Sequence, residues 1–302
     1  MIKRTIHIGT PCRLATQHEQ LVLKYSHIKG QEDMPDRTVP IEDIGILVLE
    51  HEQITLSHPL IDKLLQHNAA LVTCNAQKHP TGLLLNLDGN TVQSERFQAQ
   101  TEASEPLKKQ LWQQTVKAKI ENQAAVFKNW KLDHEYLLKL AKDVRSGDAD
   151  NCEATAAVYY WQRLFPPAWN FYRKREGAPP NNLLNYGYAI LRAATARSLV
   201  GSGLLPTFGI FHRNRYNAYC LADDIMEPYR PYVDMTVRKI IDQTSHVADL
   251  TKELKTSLLQ IPAMDVVIDG RKSPLMVAMQ RTTASLAQCY LGETRKILYP
   301  IL

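Results

Sequence analysis

The period of the hydrophobic residues changes once along the chain, and that change limits the folds open to it. Up to about residue 92 the apolar residues come in short runs, at 5–8, 21–25, 44–49, 70–74 and 82–87, separated by Gly, Pro, Asp and Asn. Runs of this length between turn formers read as β-strands. One helix interrupts them at 57–67, where Ser57 is a plausible N-cap, Pro59 suits the first turn, and Leu60, Ile61, Leu64 and Leu65 form one apolar stripe. The composition turns polar between Gln93 and Pro106, and beyond it the apolar residues recur at helical spacing. Helices are predicted at 107–130, 133–144, 151–165, 183–200, from near Asp224, and at 274–290. The expected fold class is therefore α+β. A small N-terminal β-rich domain (1–95) is followed by a linker (96–106) and a larger all-α domain (107–302).

With 302 residues, 44% of them hydrophobic, the chain can bury a full core. Its net charge of +5 favours an anionic partner only slightly when averaged over the molecule, so the placement of charge matters more. The five cysteines are widely spread and form no C-x-x-C pair, which argues against a disulfide framework and a zinc knuckle. The N-terminal residues lack the apolar core of a secretory signal, and no apolar run approaches the ~20 residues that span a bilayer. The expectation is a cytoplasmic protein without a membrane partner.

Three places carry candidate chemistry. Glu153 follows the Asp/Asn cluster of Gly147-Asp-Ala-Asp-Asn-Cys-Glu153, where a first-turn carboxylate gains from the helix dipole; it is equally an ordinary helix-start residue. His212 ends the Gly- and Pro-punctuated stretch Gly201-Ser-Gly-Leu-Leu-Pro-Thr-Phe-Gly-Ile-Phe-His212, and an imidazole on such a loop serves either as a ligand and base or as hydrogen-bonded structure. Asp224 and Glu227 stand three apart before Pro228 and Pro231. They form either a metal-binding pair or an acidic turn paired with Arg230. Carboxylates with one imidazole make a mostly hard ligand set, which suits Mg²⁺ or Mn²⁺ better than zinc. The sequence holds no P-loop, dinucleotide-binding glycine motif, H-E-x-x-H or G-x-S-x-G.

Between Tyr160 and Tyr216 lie Arg163, Arg173, Lys174, Arg175, Arg192, Arg197, Arg213 and Arg215 against one acid, Glu176: eight minus one leaves +7. Aromatic residues are interleaved with them, and arginines that fork onto phosphates beside rings that stack on unpaired bases read as a nucleic-acid surface. Tyr160 and Trp161 are expected to pack inside. The Arg173-Lys174-Arg175 run faces solvent or phosphate.

The stretches Pro180-Asn-Asn-Leu-Leu-Asn-Tyr-Gly-Tyr-Ala-Ile-Leu-Arg192, Ser202-Gly-Leu-Leu-Pro-Thr-Phe-Gly-Ile-Phe-His-Arg-Asn-Arg-Tyr-Asn217 and Leu221-Ala-Asp-Asp-Ile-Met-Glu-Pro-Tyr-Arg-Pro-Tyr-Val-Asp234 resemble the CRISPR-associated spacer-acquisition integrases, the type II branch in particular. The resemblance extends to Ile41-Glu-Asp-Ile-Gly-Ile-Leu-Val-Leu-Glu50 and to Pro274-Leu-Met-Val-Ala-Met-Gln-Arg-Thr-Thr-Ala-Ser-Leu286, so it covers nearly the whole chain. It implies an N-terminal domain that forms a homodimer, and two such dimers around a dimer of the small second Cas protein. By motif position it implies Glu153, His212 and Glu227 as catalytic metal ligands, with Asp224 as a supporting fourth acid. Mg²⁺ or Mn²⁺ would be held there, beside DNA contacts from Arg163, Arg173, Lys174, Arg175, Arg213 and Arg215. One departure is that many members have two histidines where this chain has Phe211-His212. The reaction implied is transesterification, in which the 3′-OH of a captured DNA fragment attacks a phosphodiester of the CRISPR repeat. Residue types leave two alternatives open: a DNA-holding scaffold without activity, and an endonuclease that only hydrolyses.

Overall fold

The computed structural model describes residues 3–25, 33–244 and 246–302. The first part of the chain forms β1 (Arg4–Ile8), β2 (Cys12–Gln17), β3 (Gln20–Lys24), β4 (Arg37–Pro40), β5 (Ile44–Leu49), β6 (Ile54–Leu56), α1 (His58–Gln66), β7 (Ala70–Cys74) and β8 (Pro80–Leu84). Two four-stranded sheets result, ordered β1-β5-β7-β8 and β4-β3-β2-β6. In the first, β1, β5 and β7 are parallel and β8 closes the edge antiparallel.

All six residues of β5 are buried, because both faces of its sheet are covered. Ile46 and Val48 belong to the core shared with the helices, while Leu47 and Leu49 pack with Leu60 and Leu64 of α1. Gly45 lies at a close approach to the helical part. A Cβ there would stand 2.6 Å from Met276 Sδ.

The second part contains α2 (Gln93–Thr101), α3 (Glu105–Asn129), α4 (Glu135–Asp143), α5 (Cys152–Leu164), α6 (Asn181–Gly201), α7 (Cys220–Met226), α8 (Arg230–Gln243), α9 (Lys252–Leu259), the hairpin β9 (Asp265–Ile268) and β10 (Arg271–Pro274), and α10 (Leu275–Tyr290). Helices α3 and α6 are central. From Leu183 to Leu199 α6 is buried nearly all round, as a helix with partners on every side must be.

The structure departs from the sequence reading in four details. The strand expected at 82–87 lies at Pro80–Leu84, and Leu87 beyond it is 91% exposed. Much of the polar stretch 96–106 is helical, and polar side chains anchor α2. Gln100 Nε2 donates to Leu205 O (2.9 Å), Leu205 N donates back to Gln100 Oε1 (2.9 Å), and Arg96 Nη1 donates to Ser202 O (2.8 Å). The helical part is not purely α, since it carries the β9–β10 hairpin. The strand β2 passed unnoticed because His18 and Glu19, both at positive φ (50° and 57°), make its two-residue turn to β3 without the Asn-Gly signal usual there.

Inside the helical core, Asp234 of α8 accepts hydrogen bonds from the hydroxyls of Tyr160 (3.2 Å) and Tyr188. Burial pushes its carboxyl up to about 7, against the partial relief given by the two hydroxyls and by Arg230 and Arg173. A carboxyl raised in the folded state holds a proton that the unfolded chain has already released. Between the ordinary carboxyl range and pH 7, Asp234 therefore withdraws stability as pH rises, by at most about 1.4 kcal/mol per unit. Urea unfolding at pH 5 and pH 7.5 measures this, and Asp234→Asn is expected to flatten the difference. An unchanged difference would show that Asp234 is not its source.

Candidate active site

Three elements that are remote in sequence meet at the site, and each is fixed by a polar device of its own. Helix α5 begins over Asp148, whose carboxylate accepts from Cys152 N (2.9 Å) and Glu153 N (3.1 Å), so Glu153 enters in the first turn. Glu227 lies in a single 3₁₀ turn, Glu227–Tyr229, between α7 and α8, with Pro228 in that turn and Pro231 in the first turn of α8. Asn122 of α3 clamps this turn: its amide donates to Pro228 O (2.8 Å) and Pro300 O (3.1 Å), and its Oδ1 accepts from Leu302 N (3.0 Å). His212 sits on the loop between α6 and α7. There Asp224 accepts from the backbone N–H of Phe211 (2.9 Å) and His212, and contacts His212 Nδ1.

Asp224 and Glu227 face different partners. Asp224, fully buried, faces the histidine loop, whereas Glu227 faces α3 and Arg230. Glu227 Oε1 accepts from Arg230 Nε (2.7 Å), so the pairing with Arg230 is real but buried, not solvated.

The decisive contact is made by Lys119 of α3, a residue the sequence reading passed over. Its Nζ lies 2.5 Å from Glu153 Oε1 and 2.6 Å from Glu227 Oε2, so both glutamates converge on one ammonium. Burial would lower the lysine, but the charges of Glu227 and Glu153 outweigh it and hold it above its ordinary value. Burial likewise opposes ionisation of Glu227, yet Arg230 and Lys119 bring it down to about 2. The signal for Lys119 was available: Val116, Lys119, Ile120 and Gln123 follow helical spacing on the buried stripe of α3.

His212 stands within the field of the same acids. Its imidazole is raised first by the hydrogen bond to Asp224 and further by the charges of Asp224, Glu227 and Glu153. Aromatic contacts fix the loop as well. Phe211 stacks on Trp112 at 4.3 Å with the rings 1° from parallel, and His212 meets both rings edge-on. A Cβ at position 209 would stand 2.4 Å from His212 O and 2.7 Å from Asp224 Oδ2, so only glycine allows this approach.

The donors fit a hard cation at the glutamates. The Lys119 ammonium already stands where a positive ion bridges two carboxylates, and buried Glu227 Oε2 has no aligned hydrogen bond despite that close ammonium. His212 is not drawn into the same cage: among the described residues no group of three or more His, Cys, Asp or Glu side chains stands at metal-binding geometry.

Clefts open on both sides. On the histidine side a cleft of about 470 Å³ is lined by His212, Arg213, Arg215, Lys108 and Phe208. On the glutamate side a small cleft of about 140 Å³ reaches Lys119 and Glu227. It shares Arg173, Tyr188 and Arg230 with a larger one of about 760 Å³ that also takes in Arg175, Arg192 and His79.

The basic window divides into side chains paired within the fold and side chains left exposed. Arg197 is buried and donates to Asn68 O (2.5 Å), and Arg192 forks onto Asp223 (2.6 and 2.9 Å), so both have partners within the chain. Arg173 is held by Asn181 Oδ1 (2.8 Å) and Asn185 Oδ1 (3.0 Å), Arg163 stacks on Tyr159 (3.9 Å), Arg215 lies over Tyr216 (4.6 Å), and Arg213 pairs with Glu105 (2.5 Å). Lys174 and Arg175 are exposed. Tyr160 packs in the core on Phe127, and Trp161 packs beside it.

A family model described as CRISPR associated protein Cas1 matches residues 6–269. The chain belongs to the Cas1 family. Among its relatives is the CRISPR-associated endonuclease Cas1 of Neisseria meningitidis serogroup C, 37% identical over 287 residues that cover 94% of this chain and 91% of the relative. That relative agrees with the type II branch the motifs resemble. Two solved structures share the Cas1 fold seen here. A casposase bound to integration product superposes with a TM-score of 0.78 at 19% identity, over 98% of this chain and 92% of the other. A chain of a Cas6-RT-Cas1–Cas2 complex does so with a TM-score of 0.71 at 20% identity, over 97% of this chain and 35% of the other.

The crowded approach at Gly209 is testable by substitution. Gly209→Ala should cost roughly 1–3 kcal/mol in urea unfolding, because Cβ meets a backbone oxygen and a buried carboxylate that cannot both yield. A cost below about 0.5 kcal/mol would mean that the loop tolerates displacement.

Proposed function

We propose that this chain is a divalent-metal-dependent DNA integrase of CRISPR adaptation, joining the 3′-OH ends of captured fragments into the repeat array by transesterification. The observation that carries the reading is the convergence of Glu153 and Glu227 on one cationic position, beside His212 and between basic clefts. Glu153 and Glu227 would hold Mg²⁺ or Mn²⁺, with His212 as the third ligand and Asp224 supporting it. Bound there, the ion would supply Lewis-acid stabilisation of charge at the reacting phosphodiester.

The chain's own residues do the rest. Asp224 engages His212 Nδ1 and thereby leaves Nε2 as the nitrogen available to a ligand or a proton. Arg173 and Arg230, fixed by hydrogen bonds and by Tyr188, present guanidinium groups to backbone phosphate along the glutamate-side cleft. Arg213 and Arg215 do the same on the histidine side. Residues Lys174 and Arg175 add exposed charge. The membership in the family supports a homodimer through the N-terminal domain, assembly with a dimer of the second Cas protein, Cas2, and work in the cytoplasm. No helix among the described residues is long and apolar enough to cross a membrane.

A purely hydrolytic reading uses the same site with water as nucleophile, and the endonuclease name of the Neisseria relative favours it. Product identity separates the two. Incubation with Cas2, a fragment ending in 3′-OH, Mn²⁺ and a repeat-bearing plasmid should yield covalently joined DNA, and chelator should stop it. Glu153→Ala and His212→Ala should each abolish joining while DNA affinity stays within a few-fold, since affinity comes from phosphate contacts. Products that are only nicked would favour hydrolysis, and joining that survives both substitutions would refute the site.

Exposed charge should register in salt dependence. Replacing Lys174 and Arg175 together by Ala is expected to lower the slope of log affinity against log salt by about 1–2. An unchanged slope would place these two residues off the DNA.

A further inference from the structure

We propose that Lys119 is a resident cation that exchanges with the divalent ion. Its ammonium holds Glu153 and Glu227 together in the metal-free protein and withdraws onto Gln123 when the ion enters. The inference rests on the reading that these glutamates bind a divalent cation, and makes Lys119 a positioning residue that sets how readily the site is loaded.

Four observations carry it. First, the ammonium contacts the very oxygens a bridging ion would use, so a cation on Glu153 Oε1 and Glu227 Oε2 displaces Nζ. Without some cation there, the two acids would repel across a poorly solvated gap. Second, the lysine has somewhere to go: the cleft of about 140 Å³ beside Glu227 is lined by both Lys119 and Gln123. Third, Gln123 Oε1 is a buried acceptor with no hydrogen-bond partner, on a residue 3% exposed. It stands one helical turn beyond Lys119 on the same face of α3, within the reach of neighbouring side chains. An unmet acceptor inside a core is costly and asks for an occupant. Fourth, the other cation on Glu227 is fixed. Arg230 bonds Oε1 through Nε and lies over the Tyr188 ring at 4.6 Å, whereas Lys119 ends in a flexible four-carbon stem.

Two substitutions should move stability and metal affinity in opposite patterns. Lys119→Met leaves two acids facing each other: the metal-free protein should melt lower, and Mn²⁺, titrated alone by calorimetry, should bind at least about tenfold tighter. Gln123→Met removes an unmet acceptor: the metal-free protein should melt no lower than wild type, while Mn²⁺ binds several-fold more weakly because the displaced ammonium loses its partner. A merely structural lysine would shift melting and leave both affinities alone. Should Lys119→Met not fold, Gln123→Met decides together with wild-type protein labelled with ¹⁵N at lysine Nζ, in which the protected Lys119 signal should shift on addition of Mg²⁺. Unchanged affinities, or a Lys119 signal that ignores saturating Mg²⁺, overturn the exchange while the metal site stands, provided Glu227→Gln abolishes Mn²⁺ binding. If Glu227→Gln leaves Mn²⁺ binding intact, the underlying metal reading falls and the exchange falls with it.

Discussion

A buried ammonium shared by two carboxylates ties the helical part together at its chemical centre. Lys119, Glu153 and Glu227 come from the middle of α3, the first turn of α5 and the 3₁₀ turn after α7. Each charge is expensive to bury alone and tolerable only with its partners present. Their mutual contact therefore helps to set the spacing of these three elements. The side-chain exposures of 10%, 26% and 8% for Lys119, Glu153 and Glu227 leave the glutamate of α5 as the open side of the site.

Around that centre the chain uses polar clamps where shape alone would be too loose. Asn122 joins the Glu227 turn to the C-terminal residues, Asp148 caps the helix that brings Glu153, and Asp224 gathers the backbone and ring of the His212 loop. The sheet domain contributes from a distance. Its covered strand β5 packs through Ile46 and Val48 into the same core as α3 and α6. The clefts then follow from what is left uncovered between these fixed parts, and basic residues line both of the larger ones.

The sequence was most legible where one period dominated. The fully apolar β5, the stripe of α1 and the long helices α3 and α6 stand where the pattern put them, because burial on a whole face writes itself into spacing. Elements held by amides were not legible. In α2 only Gln100 is buried, and its anchoring bonds to residue 205 lie more than a hundred positions away. Of the site, Glu153, His212, Asp224 and Glu227 were marked by motif, but their division of labour was not: spacing paired Asp224 with Glu227, and tertiary structure separated them. Part of the +7 window is likewise engaged inside the chain, since Arg192 pairs with Asp223 and Arg197 donates to Asn68 O. Lys119 stood on a readable stripe, but a lysine there resembles one whose stem merely covers apolar surface.

Anomalous diffraction from crystals grown with Mn²⁺ tests the central claim most directly. The account predicts one strong peak held by Glu153 and Glu227 on the His212 side, with the lysine ammonium moved away. A peak bound elsewhere on the chain, or none at saturating metal with Lys119 still between the two acids, would contradict it.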